Sequence, residues 1–439
     1  MGDQYFEERK IANNTPIVIW WTPFTMDMGS YKECRNIKKT CFFTNIRRYR
    51  SQSNLKAFLF YGTDFSLYDL PLPRLDLEDW GLLHEESPKN NYLFSFEKIM
   101  NLFNHTATFK RESDLPLLTQ YLTSIEDLES TEFLVPVKDK NLFQVEENLA
   151  PIAYIQSDCN TPSDRDIYVK ALMKYIKVDS YGKCLHNKDL PKNLNQAVVS
   201  MNSKEFYKII AKYKFVLAME NAVCDDYVTE KLWRSFYIGA VPIVYGSSKS
   251  KEIYPDTGTA IDILDFNSPK ELAEYLTELN QNDTKYKNYL RFKRKNGVKN
   301  PLLLELMSKR KWGINNDREK GSYIDHFECL VCERLHQNLG RIKNGETKVT
   351  WQANKQHFGC PSPYTFSEEG ILLNQPDNSN YVPNNFLTSY QFGYVQQKVF
   401  FDKYYNTNLT NLTYKTLHLE TLKFHRELFI SGKNKIDLK

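Results

Sequence analysis

Short apolar runs separated by polar turns recur along the chain, and the clearest stretch of the pattern lies between Phe215 and Tyr245. Phe215 to Met219 has the length and continuous apolarity of a buried strand. Thr229 stands at a helix N-cap position, Glu230 and Lys231 open the first turn, and Leu232, Trp233, Phe236 and Tyr237 form an apolar helical face. Gly239 falls where a left-handed stop is favoured, and Val241 to Tyr245 reads as a returning strand. Such a unit sets a helix N-terminus beside a strand end. Orphan N–H groups there, with Lys231, predict a phosphate seat, while Glu230 is placed to accept hydrogen bonds from sugar hydroxyls. A nucleotide sugar would use both.

The same alternation extends from residue 152 to 280. Ile152 to Ile155 reads as a strand, and Ser163 with Asp166 has capping-box spacing before a helix carrying Tyr168, Leu172, Tyr175 and Ile176. Ser268 followed by Pro269 starts another helix, with Leu272, Tyr275, Leu276 and Leu279 as its packing stripe. These elements predict a Rossmann-like α/β layer. Upstream, Ile17 to Trp21, Ala57 to Tyr61, Gly81 to Leu83 and Thr106 to Phe109 predict strands of a separate α/β sheet, and Lys138 to Glu147 reads as a polar bridge. The expected division is an N-terminal domain over 1–145, a second domain over 146–339, and a C-terminal extension or accessory lobe over 340–439 with a helix within Leu417 to Leu428. A length of 439 residues suits two domains plus an attachment.

Charge adds an exclusion. The 58 basic and 54 acidic side chains nearly cancel, so the net +4 gives no footprint for nucleic acid. Aromatic residues reach 14%, which first implies aromatic-rich cores and only second a carbohydrate-binding surface. The 8 cysteines, Cys34, Cys41, Cys159, Cys184, Cys224, Cys329, Cys332 and Cys360, accompany sequons at Asn13, Asn104, Asn282, Asn408 and Asn411. Even cysteines with several sequons point to a lumenal protein with structural disulfides. No apolar run is long enough to span a bilayer, and Met1-Gly2 lacks the following Ser or Thr of a myristoylation site. Any signal or anchor is therefore expected to be missing from this chain.

Glu85 and Glu86 follow an apolar strand and precede the restrained turn at Ser87-Pro88. A strand end of this kind suits a general base, with Glu86 taking a proton from an acceptor hydroxyl and Glu85 pointing elsewhere, to bind acceptor or form a salt bridge. A solvated acidic turn is the bland alternative. Arg165, in a helix's first turn, opposes the helix field unless it meets an anionic ligand or one of Asp164, Asp166 and a distant acid. Cys329 and Cys332 are open to three readings: a redox pair, a zinc half-site completed by Cys34, Cys41 or His336, or half-cystines bonded to distant cysteines such as Cys34 and Cys41. The sequons favour the last. Asp164 and Asp166 mimic a metal-binding acidic motif, but a helix cap explains them, and Asp225 with Asp226 are adjacent rather than alternating, so no metal is expected. His84, His105, His326 and His357 lack ligand spacing and read as surface or locally hydrogen-bonded.

These residues also carry a resemblance. AMENAVCDDYVTEKLWRSFYIGAVPIVYG resembles the donor-site signature of the α1,3-fucosyltransferase family, and HEESPKN followed by LFNHTATFKRESDLP resembles its acceptor-domain region. QSDCNTPSDRDIYVKALMKYIKVDSYGKCLHNKDLP resembles its linker-to-donor segment, so the similarity covers about residues 15–335. FYGTDF, HEESPKNNY, YIQSDCN and YIDHFECLVC are most similar to the branch that modifies proteins. The resemblance implies a GT-B-type glycosyltransferase with two Rossmann-like domains, acceptor-binding first and GDP-binding second. It implies inverting, metal-independent transfer from GDP-β-L-fucose as donor substrate, with no cofactor.

By matching motifs, the resemblance implies that Glu86 is the general base, that Arg165 and Lys231 contact the diphosphate, and that Glu230 contacts fucose or ribose. Asn221 and Tyr227 would shape the same pocket, and Cys34 and Cys41 would face Cys329 and Cys332. Met219 replaces the Phe that many members carry before Glu220-Asn221, a conservative change. Cys224-Asp-Asp-Tyr227 follows the protein-modifying pattern, and the usual Lewis-type motifs are absent around it. The branch implies α-O-fucosylation of Ser or, preferentially, Thr on a folded disulfide-bearing domain such as EMI. It also implies residence in the endoplasmic reticulum behind a type II anchor, with the Golgi as alternative. Two rival functions are transfer to GlcNAc of N-glycans, and noncatalytic binding of glycoproteins as a lectin or folding factor.

Overall fold

The computed structural model describes residues 11–23, 29–34, 38–194, 201–314, 320–361, 363, 365–373, 385–405 and 412–430. It is a mixed α/β fold with two main sheets. The first contains β1 (Ile17–Thr22), β2 (Ser30–Cys34), β3 (Lys39–Thr44), β4 (Leu55–Tyr61), β5 (Asp79–His84), β6 (His105–Thr108) and β7 (Leu115–Pro116), in the order β2-β3-β1-β4-β5-β6-β7. Only the β2–β3 pair is antiparallel. The second holds β8 (Ile152–Ile155), β9 (Val178–Tyr181), β10 (Phe215–Met219), β11 (Val241–Tyr245) and β12 (Ile261–Asp262), all parallel, in the order β12-β11-β10-β8-β9. Strands such as IVIWWT and FVLAM are apolar without alternation because both faces of each sheet are covered.

The segment expected as a polar bridge is instead helix α1 (Val137–Glu146). Its Lys140 is fully buried and donates to the carbonyls of Tyr213 and Gly239, both at 2.8 Å, a long-range contact that spacing does not reveal. Helix α2 (Arg165–Leu172) follows, and here the predicted capping box fails. Asp164 is left-handed at φ 49 and gives no side-chain cap, while the Ser163 hydroxyl donates to the carbonyl of Glu220 at 2.7 Å. Tyr175, beyond the end of the helix, is exposed. Helices α3 (Glu230–Tyr237) and α4 (Pro269–Gln281) match their sequence signals, with Thr229 and Ser268 as N-caps and Gly239 at φ 68. Leu232, Trp233 and Phe236 of α3 join Leu272 and Leu276 of α4 in the core on one face of the second sheet.

Helix α5 (Tyr323–Lys343) packs against the first sheet although it follows the second in sequence. Phe327, Val331 and Leu335 fill that face, and the disulfides Cys34–Cys329 and Cys41–Cys332 fasten it. Cys159–Cys184 and Cys224–Cys360 pair the remaining four cysteines. The zinc alternative fails on this pairing: Cys41, Cys332 and His336 approach one another, but both sulfurs are spent in a disulfide. Past residue 350 the chain crosses between the sheets. Ala353 and Phe358 pack on the first, the hairpin β13 (Thr365–Phe366) and β14 (Leu372–Leu373) packs on the second through Phe366, and α6 (Asn385–Lys403) and α7 (Tyr414–His425) return to the first. Lys89 pairs with Asp158, and Arg111 donates to Asp226 at 2.6 Å and to Glu252 at 2.6 Å, giving further ties between the two sheets.

Of the sequons, Asn13 is exposed and Asn282 caps a helix by accepting from Lys285 N. Asn104 is half-buried, its amide donates to the carbonyl of Trp351 at 2.9 Å and Thr106 is fully buried, so the nitrogen that would carry a glycan is engaged with the fold. Asn408 and Asn411 lie outside the described residues.

Candidate active site

Two strand ends and one helix start converge. β5 ends at His84 and delivers Glu85 and Glu86; β10 ends at Met219 and delivers Glu220 and Asn221; α3 begins with Glu230 and Lys231. Parallel sheets expose functional side chains at their carboxyl ends because connecting loops start there. Glu86 is half-buried, and its Oε2 accepts from the Tyr227 hydroxyl at 3.4 Å. This contact joins a residue of the first sheet to one beyond the second. Burial raises the Glu86 carboxyl above its ordinary range, Lys231 works against that rise, and the charges of Glu230 and Glu220 add to it.

Glu85 is 7% exposed. Its Oε1 accepts from the Tyr61 hydroxyl at 3.3 Å and its Oε2 has no partner. Burial, reinforced by the charge of Glu86, pushes its carboxyl up to about 7. His84 corrects the expectation of a surface or locally bonded histidine. It is fully buried with both ring nitrogens unpartnered, and it stacks on Phe358 at 5.3 Å. Burial holds it neutral, down at about 3.

The start of α3 is built differently. Glu220 is buried and accepts from Thr229 N at 2.8 Å and from its hydroxyl at 2.9 Å. The Lys231 ammonium donates to the Thr229 hydroxyl at 2.9 Å and lies 3.4 Å from both Glu220 and Glu230. Glu220 thus occupies part of the predicted phosphate seat, and Lys231 is the cation that remains on the site's surface. Burial opposes the Lys231 charge, but Glu220 and Glu230 raise its ammonium overall. Glu230 shows the reverse balance: burial pushes its carboxyl up, yet Lys231 and Arg234 hold it down at about 2. With 29% of its side chain open, solvent screens part of that pull.

Arg165 meets neither a surface anion nor Asp164 or Asp166. It is 1% exposed and donates to the carbonyls of Met219 and Asp158, each at 2.9 Å, with Nε unpartnered. It lies under the end of β10 as buried positive charge rather than as a surface clamp. Asn221 presents a buried Oδ1 with no partner. Tyr121 is a residue that pattern reading passed over. It is half-buried, and burial, with the charges of Glu86, Glu230 and Glu85, raises its phenol. Its only sequence signal is its place in a crossover between the two α/β stretches.

A carboxylate poised to take a proton, a facing lysine, and an ionised carboxylate beside that lysine are suited to a displacement in which a hydroxyl attacks and an anion departs. Residues 12–121 match the family described as "Fucosyltransferase, N-terminal", and residues 145–350 match "Glycosyltransferase family 10 (fucosyltransferase) C-term". The chain is 49% identical over 361 residues to GDP-fucose protein O-fucosyltransferase 3 of Gallus gallus, an alignment covering 82% of this chain and 75% of that protein. It is 48% identical over 352 residues to the Homo sapiens protein of the same name, covering 80% and 72%. Among solved structures, an alpha1,3-fucosyltransferase with GDP-fucose aligns at TM-score 0.41 and 17% identity, covering 79% of this chain and 96% of that one. The chain belongs to glycosyltransferase family 10, the fucosyltransferases.

Proposed function

We propose that this protein is an inverting, metal-independent fucosyltransferase that moves L-fucose from GDP-β-L-fucose to a Ser or, preferentially, Thr hydroxyl of a folded, disulfide-containing domain such as EMI. The observation that carries the reading is the contact of Glu86 with Tyr227, which brings the carboxylate of one sheet to the Lys231 side of the other. Near-half identity to proteins named GDP-fucose protein O-fucosyltransferase 3 supports the donor and the protein acceptor.

Glu86 takes the proton of the acceptor hydroxyl as its oxygen bonds to the anomeric carbon. The bond from that carbon to the β-phosphate oxygen breaks, and GDP leaves with the electron pair toward Lys231, with Arg165 adding positive field from beneath. Attack opposite the leaving group turns the β-linked donor into an α-linked product. Glu230 accepts from fucose or ribose hydroxyls, Asn221 and Tyr227 shape the pocket, and Glu85 contacts the acceptor. Two cations of the chain neutralise the leaving group, which is the basis for the metal-independent reading.

In this reading the fold is of GT-B type with two Rossmann-like halves: residues 1–145 bind acceptor, the second sheet binds donor, and 340–439 form an extension. The four disulfides fit an oxidising compartment, and the endoplasmic reticulum lumen behind a type II anchor is the proposed location, with the Golgi as alternative. No helix among the described residues is long and apolar enough to cross a membrane.

The test is intact mass of a folded EMI domain and, in parallel, of an N-glycan bearing N-acetyllactosamine, each incubated with GDP-fucose in EDTA. A deoxyhexose gain on the EMI domain, mapped to Ser or Thr, is expected. Gain on the glycan alone reassigns the acceptor, and no gain on either leaves a glycoprotein-binding protein.

A further inference from the structure

A cleft of about 620 Å³ opens beside the candidate active site without including any of its residues. Three lysines, Lys110, Lys249 and Lys355, and three acids, Glu97, Glu112 and Asp225, supply its charge. It is assembled from both sheets and the crossing segment. Lys110 follows Phe109, which packs on Tyr227 at 5.1 Å; Asp225 lies two residues before Tyr227; Lys355 belongs to the segment tied down by Cys224–Cys360.

Lys110 is the informative member. Its side chain is 6% exposed, and its ammonium stands 3.9 Å from Glu112 and 4.0 Å from Asp226, beyond hydrogen-bond distance of either. Its stem is buried while its ammonium opens onto the cleft, charge-balanced but with no hydrogen-bond acceptor among the described residues, and so able to donate to a partner that brings carbonyl or carboxylate oxygen. Of the neighbouring acids, Asp225 is met by Lys249 at 2.9 Å and Asp226 by Arg111 at 2.6 Å, which leaves the exposed Glu97 and Glu112 open to accept from N–H or ammonium donors of a partner. Equal numbers of both signs disfavour a phosphate ligand, which calls for net positive charge. Among the described residues no aromatic ring lines the cleft, which gives a sugar no platform there on which to stack. A polypeptide offers carbonyls, amides and side chains of both signs together.

We propose that this cleft is a second contact site for the acceptor protein, holding a charged loop of the folded domain while the modified hydroxyl reaches Glu86. The proposal rests on the protein-acceptor reading above. It makes recognition of a folded domain, rather than of a short linear motif, a property of the enzyme's geometry.

The test compares wild type with Lys110→Met and Lys355→Glu, using a folded EMI domain as acceptor. Lys110→Met is expected to raise KM for that domain about tenfold, and Lys355→Glu, at an exposed position, about threefold, with kcat and GDP-fucose Kd unchanged. If Lys110→Met fails to fold, Lys355→Glu carries the test with Glu97→Lys, which is also exposed and is expected to raise KM about threefold. Unchanged KM in the folded variants, with wild-type transfer intact, overturns this proposal alone. A weakened GDP-fucose Kd assigns the cleft to the donor and overturns it as well. If a free N-glycan inhibits transfer competitively and Lys110→Met relieves that inhibition, the cleft binds carbohydrate and the peptide assignment falls. Absence of wild-type transfer to any protein removes the underlying reading and this inference with it.

Discussion

The end of β5 and the start of α3 both present glutamates to one site, and the two regions treat them in opposite ways. Glu85 and Glu86 are raised by burial, Glu85 to about 7: Glu85 has only the Tyr61 hydroxyl as a partner, and for Glu86 burial outweighs the opposing pull of Lys231 and the Tyr227 hydroxyl. Glu230 is held at about 2 because Lys231 and Arg234 outweigh its burial. One residue type is thereby shifted upward in one half and held down in the other, which is the basis for proposing Glu86 as the proton acceptor and Glu230 as a charged hydrogen-bond acceptor. The environment, not the carboxyl group, sets the role.

The comparison breaks most visibly at Glu86. Glu86→Gln is expected to lower kcat by about 10²–10⁴ while GDP-fucose Kd is retained, as measured by turnover and calorimetry. A fully active variant would sink the base assignment. Next, Lys231→Met removes the cation that separates the two environments. Transfer should fall by about 10²–10³ and GDP affinity should weaken, and Tm should drop because Glu220 and Glu230 lose their shared partner.

Glu85→Gln sharpens the comparison through pH. Its folded-state pKa lies above the unfolded value, so the native state holds more protons between roughly pH 4.5 and 7, and wild-type stability declines as pH rises through that window. The cost, roughly 3 kcal/mol at most, is complete above pH 7. Glu85→Gln should remove this slope, seen as a Tm gain over wild type at pH 8 that disappears near pH 4.5. The smallest effect belongs to Glu230→Gln. A depressed carboxyl contributes stability above its unfolded pKa and loses it as pH falls toward 2, so the variant should flatten the acid limb of the Tm profile between about pH 4.5 and 2. Partial exposure keeps that change small.

Much of the second sheet was legible from residue pattern because its signals are local. Thr229, Gly239 and the apolar spacing of α3 lie within a few residues of what they control. Glu86 was legible as a strand-end carboxylate, but its elevation comes from burial and from the charges of Glu230 and Glu220, against the opposing pull of Lys231 and Tyr227, all of them more than a hundred residues away. Arg165 illustrates the limit from the other side. Its position in a first helical turn suggested an anion partner, whereas its acceptors are the backbone carbonyls of Met219 and Asp158, which only the folded chain brings within 2.9 Å. Helix α1 was read as a bridge because its stabilising contact is made by a buried lysine, a residue type that pattern assigns to solvent.

The family's motifs, the strand-helix-strand unit around α3 and the identities of the candidate base and cation are properties of the sequence by itself, since short-range propensity and residue chemistry suffice to state them. Tertiary structure alone decided which glutamates are raised and which is held down, that α5 belongs to the first sheet through Cys34–Cys329 and Cys41–Cys332, and that the Asn104 amide is engaged with the Trp351 carbonyl. Those outcomes depend on burial and on charges contributed from distant segments, and both exist only once the chain has closed on itself.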